Sequence, residues 1–271
     1  MVDINNHKSE SLKPVVSILI STTGQSKYFK DCLESVFEQT FKDWELLICV
    51  DGGVLNSDIH KIIDDPRVKI YNNIHNMGLP YSLNLLIREA RGDYIARMDD
   101  DDTMHNDRIK EQVKIFKSNI IDVCCTAANI VNEENLVTGY LPRQKSFNIF
   151  GFAFKNPVIH PSVMYKSQWI KSNLYDVNLR KAQDWELWLR TFERTKWYFI
   201  ESPLINYRLN TNVDLDKRIL TSKYQIDTII RNPRIVNQFY WLLILFGLIL
   251  KLLIYRLRKW ILVLNVQRVQ S

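Results

Sequence analysis

Four consecutive aspartates, Asp99-Asp100-Asp101-Asp102, follow directly on the apolar run Tyr94–Met98. Carboxylates at that spacing repel one another unless solvent, protein cations or a metal offsets the charge. A solvated acidic turn is the simplest reading. Its position argues against that reading, because the run closes a predicted buried strand, where uncompensated charge is costly. Hard carboxylate oxygens in a crevice suit Mg²⁺ or Mn²⁺, and Mg²⁺ is usually held jointly by protein and substrate phosphates rather than by protein alone. A diphosphate-bearing ligand is the partner this chemistry points to. Arg97, just before the acids, is placed to balance their charge, while Arg143, Arg180 and Lys181 are cations able to approach phosphate.

The elements that must carry these residues alternate. Val15–Ser21 is a β-branched run leading into Ser-Thr-Thr-Gly, and Tyr28–Thr40 has apolar residues at helical spacing, Phe29, Leu33, Val36 and Phe37. Glu45–Val50 then reads as a strand ending at Asp51-Gly52-Gly53, Ile59–Ile63 as a helical turn, and Val68–Tyr71 as a strand. Tyr81–Ala90 reads as a helix and Tyr94–Met98 as the strand before the acids. Repeated βα units with wholly apolar strands predict a mostly parallel sheet covered by helices on both faces. Ligands bind such sheets outside the carboxyl ends of the strands, which brings Ser21–Gly24, Asp51–Gly53 and Asp99–Asp102 to one crevice. Beyond a helix at Arg108–Phe116 the pattern loosens: Asp122–Val131 and Leu136–Tyr140 suggest a hairpin, and 141–166 is rich in loops. Gln183–Thr195 reads as a helix, followed by two short strands, Trp197–Ile200 and Leu204–Arg208.

The chain has 271 residues, 46% of them apolar, so it can bury a conventional core. Eight Gly and eight Pro exclude fibrous and low-complexity classes. Cys32, Cys49, Cys124 and Cys125 form no C-x-x-C pair and sit among apolar residues, which argues against a zinc site or disulfide framework and for a reducing cytoplasm. Net charge is +6, but all 30 acids and 29 of the 36 bases lie in 1–227, whereas the seven cations from 228 onward face no acid. That distribution argues against a basic nucleic-acid face on the main domain and for a tail that meets something anionic. Met1–Lys13 has no apolar core of a secretory signal. In the tail, Phe239–Leu250 offers twelve uncharged residues before Lys251, short of the roughly 20 a spanning helix needs. Flanking cations with Tyr240, Trp241, Tyr255 and Trp260 favour a helix lying in or on an anionic membrane surface; packing on the catalytic domain, a homodimer contact and a true span are the alternatives.

Tyr94–Met98 with Asp99–Asp102 and the later Asn106-Asp107-Arg108 resembles the D-x-D region of inverting family 2 glycosyltransferases, which have the GT-A fold. Further motifs occur in the family's order from about Val15 to Arg208. Val16–Gly24 resembles the first nucleotide-binding strand, with Thr23 where the family usually has an aromatic, and Leu46–Gly53 resembles the second, with Val50 in place of the first of two acids. The resemblance implies nucleotide contacts at Ser21, Thr23, Asp51, Asn76, Gly78 and Asp99, Asp51 accepting from the base; Asn84 is a weaker candidate. It implies a divalent cation, Mn²⁺ or Mg²⁺, on Asp101 and Asp99, with Asp100 and Asp102 as substitutes should the register slip. His160-Pro161-Ser162-Val163 resembles the segment before the acceptor region, which makes His160 a candidate ligand of metal or diphosphate, although a lone histidine is more often structural. Lys181–Arg190 resembles the helix that carries the catalytic base. Gln183 replaces its first acid and Asp184 keeps the base position, with Trp185 and Trp188 suited to a sugar-binding wall. A capping aspartate at a helix start is the alternative for Asp184.

The expectation is therefore an α/β chain of GT-A, Rossmann-like type, a mostly parallel central sheet flanked by helices with a C-terminal membrane-associating helical tail. The boundaries are a polar extension 1–14, a catalytic domain 15–212 (nucleotide-sugar half 15–105, acceptor half 106–212) and a basic, apolar tail 213–271. The expected activity is inverting transfer from a nucleotide sugar, UDP-linked by resemblance, to a glycan or glycolipid acceptor in surface polysaccharide synthesis, at the cytoplasmic face of the plasma membrane. The rivals are a sugar-1-phosphate nucleotidyltransferase, whose Gly-rich basic N-terminal loop is missing, and a non-catalytic nucleotide-sugar or lipid-binding module.

Overall fold

The computed structural model describes residues 13–142, 151, 156, 158–209, 214–233 and 235–270; the candidate phosphate cation Arg143 and the extension up to residue 12 lie outside them. Four parallel strands open the sheet: β1 (Val16–Thr22), β2 (Trp44–Asp51), β3 (Val68–Asn73) and β4 (Tyr94–Asp99), in the spatial order β3-β2-β1-β4. Alternate residues of β1 and β2 feed two separate cores. Ile18, Ile20, Leu46 and Ile48 pack with Phe29, Leu33 and Val36 of α1 (Phe29–Phe37), while Leu19, Leu47 and Cys49 pack with Leu83, Leu86 and Ile87 of α3 (Leu79–Glu89). Both faces being covered, these strands need no polar face, and their sequences show none. The short α2 (Ser57–Ile62) joins β2 to β3.

Past β4 the expectation of a mostly parallel sheet is corrected. Three-residue β8 (Met164–Lys166) runs antiparallel between β4 and β6 (Val123–Val131). Two-residue β5 (Thr103–Met104) pairs antiparallel with β9 (Trp197–Arg208), and β7 (Val137–Leu141) antiparallel with β6 as the expected hairpin. With β6 and β9 parallel, the nine-stranded sheet is evenly mixed. Apart from the expected hairpin strand β7, the elements that reverse direction, β5 and β8, are two and three residues long, too short for a periodicity to show. The two short strands expected at 197–208 are instead one strand, β9, whose register against β6 shifts between Ile200 and Pro203. Pro203 has no N–H to give the ladder, which accounts for the break the sequence suggested.

α4 (Arg108–Ser118) covers one face of this half. α5 (Ser167–Lys171), α6 (Gln183–Thr191), α7 (Leu215–Arg231) and α8 (Gln238–Gln270) follow, with 3₁₀ turns at His160–Ser162 and Phe192–Arg194. Asp214 caps α7 by accepting from Lys217 N at 3.0 Å. The tail is longer and better anchored than its twelve-residue apolar run suggested. Gln238–Ile261 forms 24 continuous helical residues, long and apolar enough to cross a membrane by length and composition. Ile244 and Leu248 are fully buried in the core shared with α3 and α6, and Trp241 Nε1 donates to the carbonyl of Ile229 at 2.7 Å.

Candidate active site

The strand ends meet as the parallel half requires. Asp51, at the end of β2, is buried, and its carboxylate accepts from Asn73 Nδ2 at 2.7 Å, Met77 N at 2.8 Å and Gly78 N at 2.9 Å. It thereby shapes the loop before α3. Gly78 reaches it with φ +93°, a backbone region that side chains disfavour. Gly53 lets the β2 end approach β1, since a Cβ there would lie 1.7 Å from the carbonyl oxygen of Thr23. The resulting cleft, about 450 Å³, is lined by Ser21, Thr22, Thr23, Asp51, Asn76, Gly78, Leu79, Asp99 and Asp100, together with Arg180 and Lys181. All six expected nucleotide contacts thus line a single cleft. Asn84 stands apart: its side chain brackets the backbone of Tyr175, donating to the carbonyl at 2.8 Å and accepting from N at 2.9 Å.

The four aspartates turn in different directions. Asp100 accepts from Thr22 Oγ1 at 2.5 Å, which ties the acid loop back to β1. Asp99 is held by Arg97, whose Nη1 donates to Oδ2 at 2.6 Å and whose Nη2 pairs with Oδ1. Asp102 is buried; Oδ1 accepts from Arg208 N at 2.7 Å, while Oδ2 has no hydrogen-bond partner among the described residues. Asp99, Asp101 and Asp102 each present a carboxylate oxygen within 4.8 Å of the others. A buried carboxylate oxygen without a donor, beside two further acids, is a set of hard ligands fit for a divalent cation. Burial is the first cause raising the carboxyls of Asp100, to about 6, of Asp101, and of Asp102 well above the usual range; Asp99 adds repulsion at each. Arg208 fixes the turn, with Nε donating to the Asp101 carbonyl at 2.9 Å and the guanidinium 3.5 Å from the Tyr28 ring centre. The sequence reading assigned Arg208 no role beyond ending a strand, because it lies 106 residues from the aspartate it serves.

A second cavity, about 360 Å³, begins where the first ends, sharing Leu79 and Asp99, and is also lined by Arg97, Asn156, His160, Gln183, Asp184 and Tyr207. Asp184, in the first turn of α6, accepts a short hydrogen bond from Asn156 Nδ2, and burial raises its carboxyl above the usual range. His160 Nε2 pairs with Tyr175 Oη at 2.7 Å, and Tyr175 Oη with Tyr165 Oη at 2.8 Å. Burial, then Arg97, holds the histidine well below its ordinary pKa. Among the described residues His160 stands outside the acidic group. Trp185 and Trp188 are buried in the core, not exposed as a sugar-binding wall. α6 turns those faces inward, and Tyr207 and Asn156 line the second cavity. Fully buried Arg108 braces the site from behind: it donates to the carbonyls of Arg97 at 2.9 Å and Val163 at 3.3 Å, and burial lowers its pKa to about 9.

Comparison with known proteins accords with this architecture. The chain is 31% identical over 259 residues to an uncharacterized glycosyltransferase, MJ1057, of Methanocaldococcus jannaschii, covering 89% of each. It is 27% identical over 205 residues to the O-antigen biosynthesis glycosyltransferase WbnJ of Escherichia coli, covering 72% of this chain and 80% of WbnJ. Its fold matches S. aureus TarS 1–349 in complex with UDP-GlcNAc, with TM-score 0.65 at 14% identity over 87% of this chain and 72% of TarS. Residues 17–177, which hold the whole acidic run and all of the first cleft's lining except Arg180 and Lys181, match glycosyl transferase family 2, and the protein belongs to that family.

Proposed function

We propose that this protein is an inverting glycosyltransferase of GT-A type that moves a sugar from a nucleotide diphosphate donor to an acceptor hydroxyl by single displacement. The observation that carries this reading is the placement of Asp99 at the junction of two adjoining cavities, one lined by the nucleotide-contact set and the other by Asp184. The nucleotide lies over Ser21, Thr23, Asp51, Asn76 and Gly78, with Arg180 and Lys181 toward its phosphates. Asp99, Asp101 and Asp102 are the residues that would hold Mn²⁺ or Mg²⁺, which when bound supplies a Lewis acid for charge growing on the departing diphosphate. Asp184 takes the proton from the acceptor hydroxyl. Its burial raises its basicity toward neutral pH, where a carboxylate base works best. Asn156 orients that carboxylate, and His160 with Tyr175 supports the cavity floor.

A UDP sugar is the donor this reading favours, supported by the nucleotide sugar bound in the TarS structure. An acceptor in lipid-linked surface polysaccharide follows from the O-antigen role in WbnJ's name and from the apolar tail, which would keep the enzyme at the cytoplasmic face of the membrane. Asp184→Asn tests the assignment: transfer from a panel of nucleotide sugars should fall on the order of 10³-fold while donor affinity stays within about threefold. Undiminished turnover would remove Asp184 from the chemistry. If the wild type binds donor but yields no product with any acceptor, the chain is a nucleotide-sugar binding module.

A further inference from the structure

A cleft of about 800 Å³ lies outside the catalytic cavities, between α6 and the turn joining α7 to α8. Arg190, Arg194 and Arg231 line it beside Asn232, Ile235 and Val236, together with two acids, Glu186 and Glu193, so three cations face two carboxylates. A neighbouring hollow shares Ile235 and Val236 and adds Trp241 at the start of α8. Arg190 is committed to Glu186 and to the Leu174 carbonyl. Arg194 uses Nη2 on Asn173 Oδ1 at 3.1 Å and pairs with no carboxylate among the described residues. Arg231 uses Nε on Asp227 at 2.8 Å and leaves its terminal nitrogens to solvent. A guanidinium carries five N–H donors, so Arg194 and Arg231 together keep several for an oxyanion.

The cleft sits at the root of an uncovered apolar helix face. Phe239, Leu242, Phe246, Ile249, Leu253 and Leu257 recur at three- and four-residue steps along α8, 43–69% exposed. The opposite side of α8 is occupied. α7 runs back along it, from Trp241 on the Ile229 carbonyl, through Arg218 facing the Tyr255 ring, to Lys259 paired with Asp216. α7 carries Asp216, Lys217, Arg218, Lys223, Asp227 and Arg231. Were α8 to cross a bilayer in this arrangement, those charges would be drawn into hydrocarbon. The hairpin can instead lie flat, apolar stripe inward, with the cleft at headgroup depth. With no acid from residue 228 onward, an anionic surface is the complementary one.

We propose that this cleft binds the phosphate of an anionic phospholipid, with Arg194 and Arg231 as its donors, while α8 lies in the membrane plane. The inference deepens the membrane part of the reading above and rests on it, but its test involves neither donor nor acceptor. Full-length protein is floated with vesicles of phosphatidylcholine alone or mixed with phosphatidylglycerol. Binding to the mixed vesicles is expected, with affinity lowered on the order of 20-fold in R194Q/R231Q, two charges at roughly fivefold each. K114Q/K117Q, the same charge change on α4, should bind within about twofold of wild type. A donor-induced thermal shift retained in R194Q/R231Q shows that the fold and donor site persist. Equal binding by the wild type to both vesicle types, or undiminished binding by R194Q/R231Q, would overturn the proposal, and the first of these needs no variant. Millimolar inorganic phosphate displacing the wild type from mixed vesicles would also overturn it, by assigning the arginines to free phosphate.

Discussion

Arg97 and Asp99, two residues apart on β4, point to the same side of the sheet, and the guanidinium grips the carboxylate with both terminal nitrogens. The arginine is nearly fully buried and the aspartate faces both cavities. One cation thus anchors the residue that the two cavities share.

Removing that cation should be costly. Arg97→Met leaves the Asp99 carboxylate among other acids without its partner, and breaking a buried pair on one side costs about 3–5 kcal/mol. Urea unfolding of the variant should show a loss of this size, and double substitution Arg97→Met with Asp99→Leu should recover part of it.

The loop before α3 depends on Asp51. Asp51→Ala deprives Met77 N, Gly78 N and Asn73 Nδ2 of their shared acceptor. Unsatisfied buried donors cost about 1–3 kcal/mol each, so stability should fall by at least that much and nucleotide affinity by about tenfold or more. Gly78→Ala, strained at φ +93°, should weaken nucleotide binding in the same direction, at a cost of about 1–3 kcal/mol. Isothermal titration with UDP reads both.

The acidic run sets a pH signature. Burial raises the folded-state carboxyls of Asp100, Asp101 and Asp102 above their unfolded value near 3.9. Between about pH 4 and 6 the folded chain therefore binds more protons than the unfolded one, so metal-free stability should fall as pH rises through that window. Mn²⁺ held there would bind the deprotonated acids, so its stabilising shift should grow with pH over the same range. Thermal midpoints with and without MnCl₂ check both slopes. A shift from Mn²⁺ that is flat with pH would exclude these acids as its ligands.

The two faces of α8 should respond differently. Leu248→Ala opens a cavity in the shared core and should cost about 2–5 kcal/mol. Phe246→Ala, on the exposed face, should change stability by no more than about 0.5 kcal/mol yet weaken vesicle binding. Denaturation midpoints and vesicle flotation separate the two effects.

Much of the parallel half was legible in the chain. Alternating βα units, Gly52-Gly53 after Asp51 and the acids after Met98 are local signals, and Ser21, Thr23, Asp51, Asn76, Gly78 and Asp99 stand on one cleft. The half beyond β4 was less so. Trp185 and Trp188 read as surface aromatics and are core, because which face of α6 turns inward is decided by β6, β9 and the tail packing on it. The reversal of the sheet at β8 was invisible, since three residues carry no periodicity.

By itself the sequence determined the βα order, the acid-rich strand end, the separate Asp184 and a tail with cations but no acids, because these depend on residue types and spacings along the chain. The tertiary structure alone decided which aspartates face one another, that Arg208 reaches back to Asp102, that His160 is bound up with Tyr175, and that α7 shields one side of α8. Apart from the aspartates, which are neighbours in the chain, those outcomes are pairings between residues 15 to 106 positions apart. Their geometry is set by packing and by the need to satisfy buried polar groups, neither of which leaves a local mark in the chain.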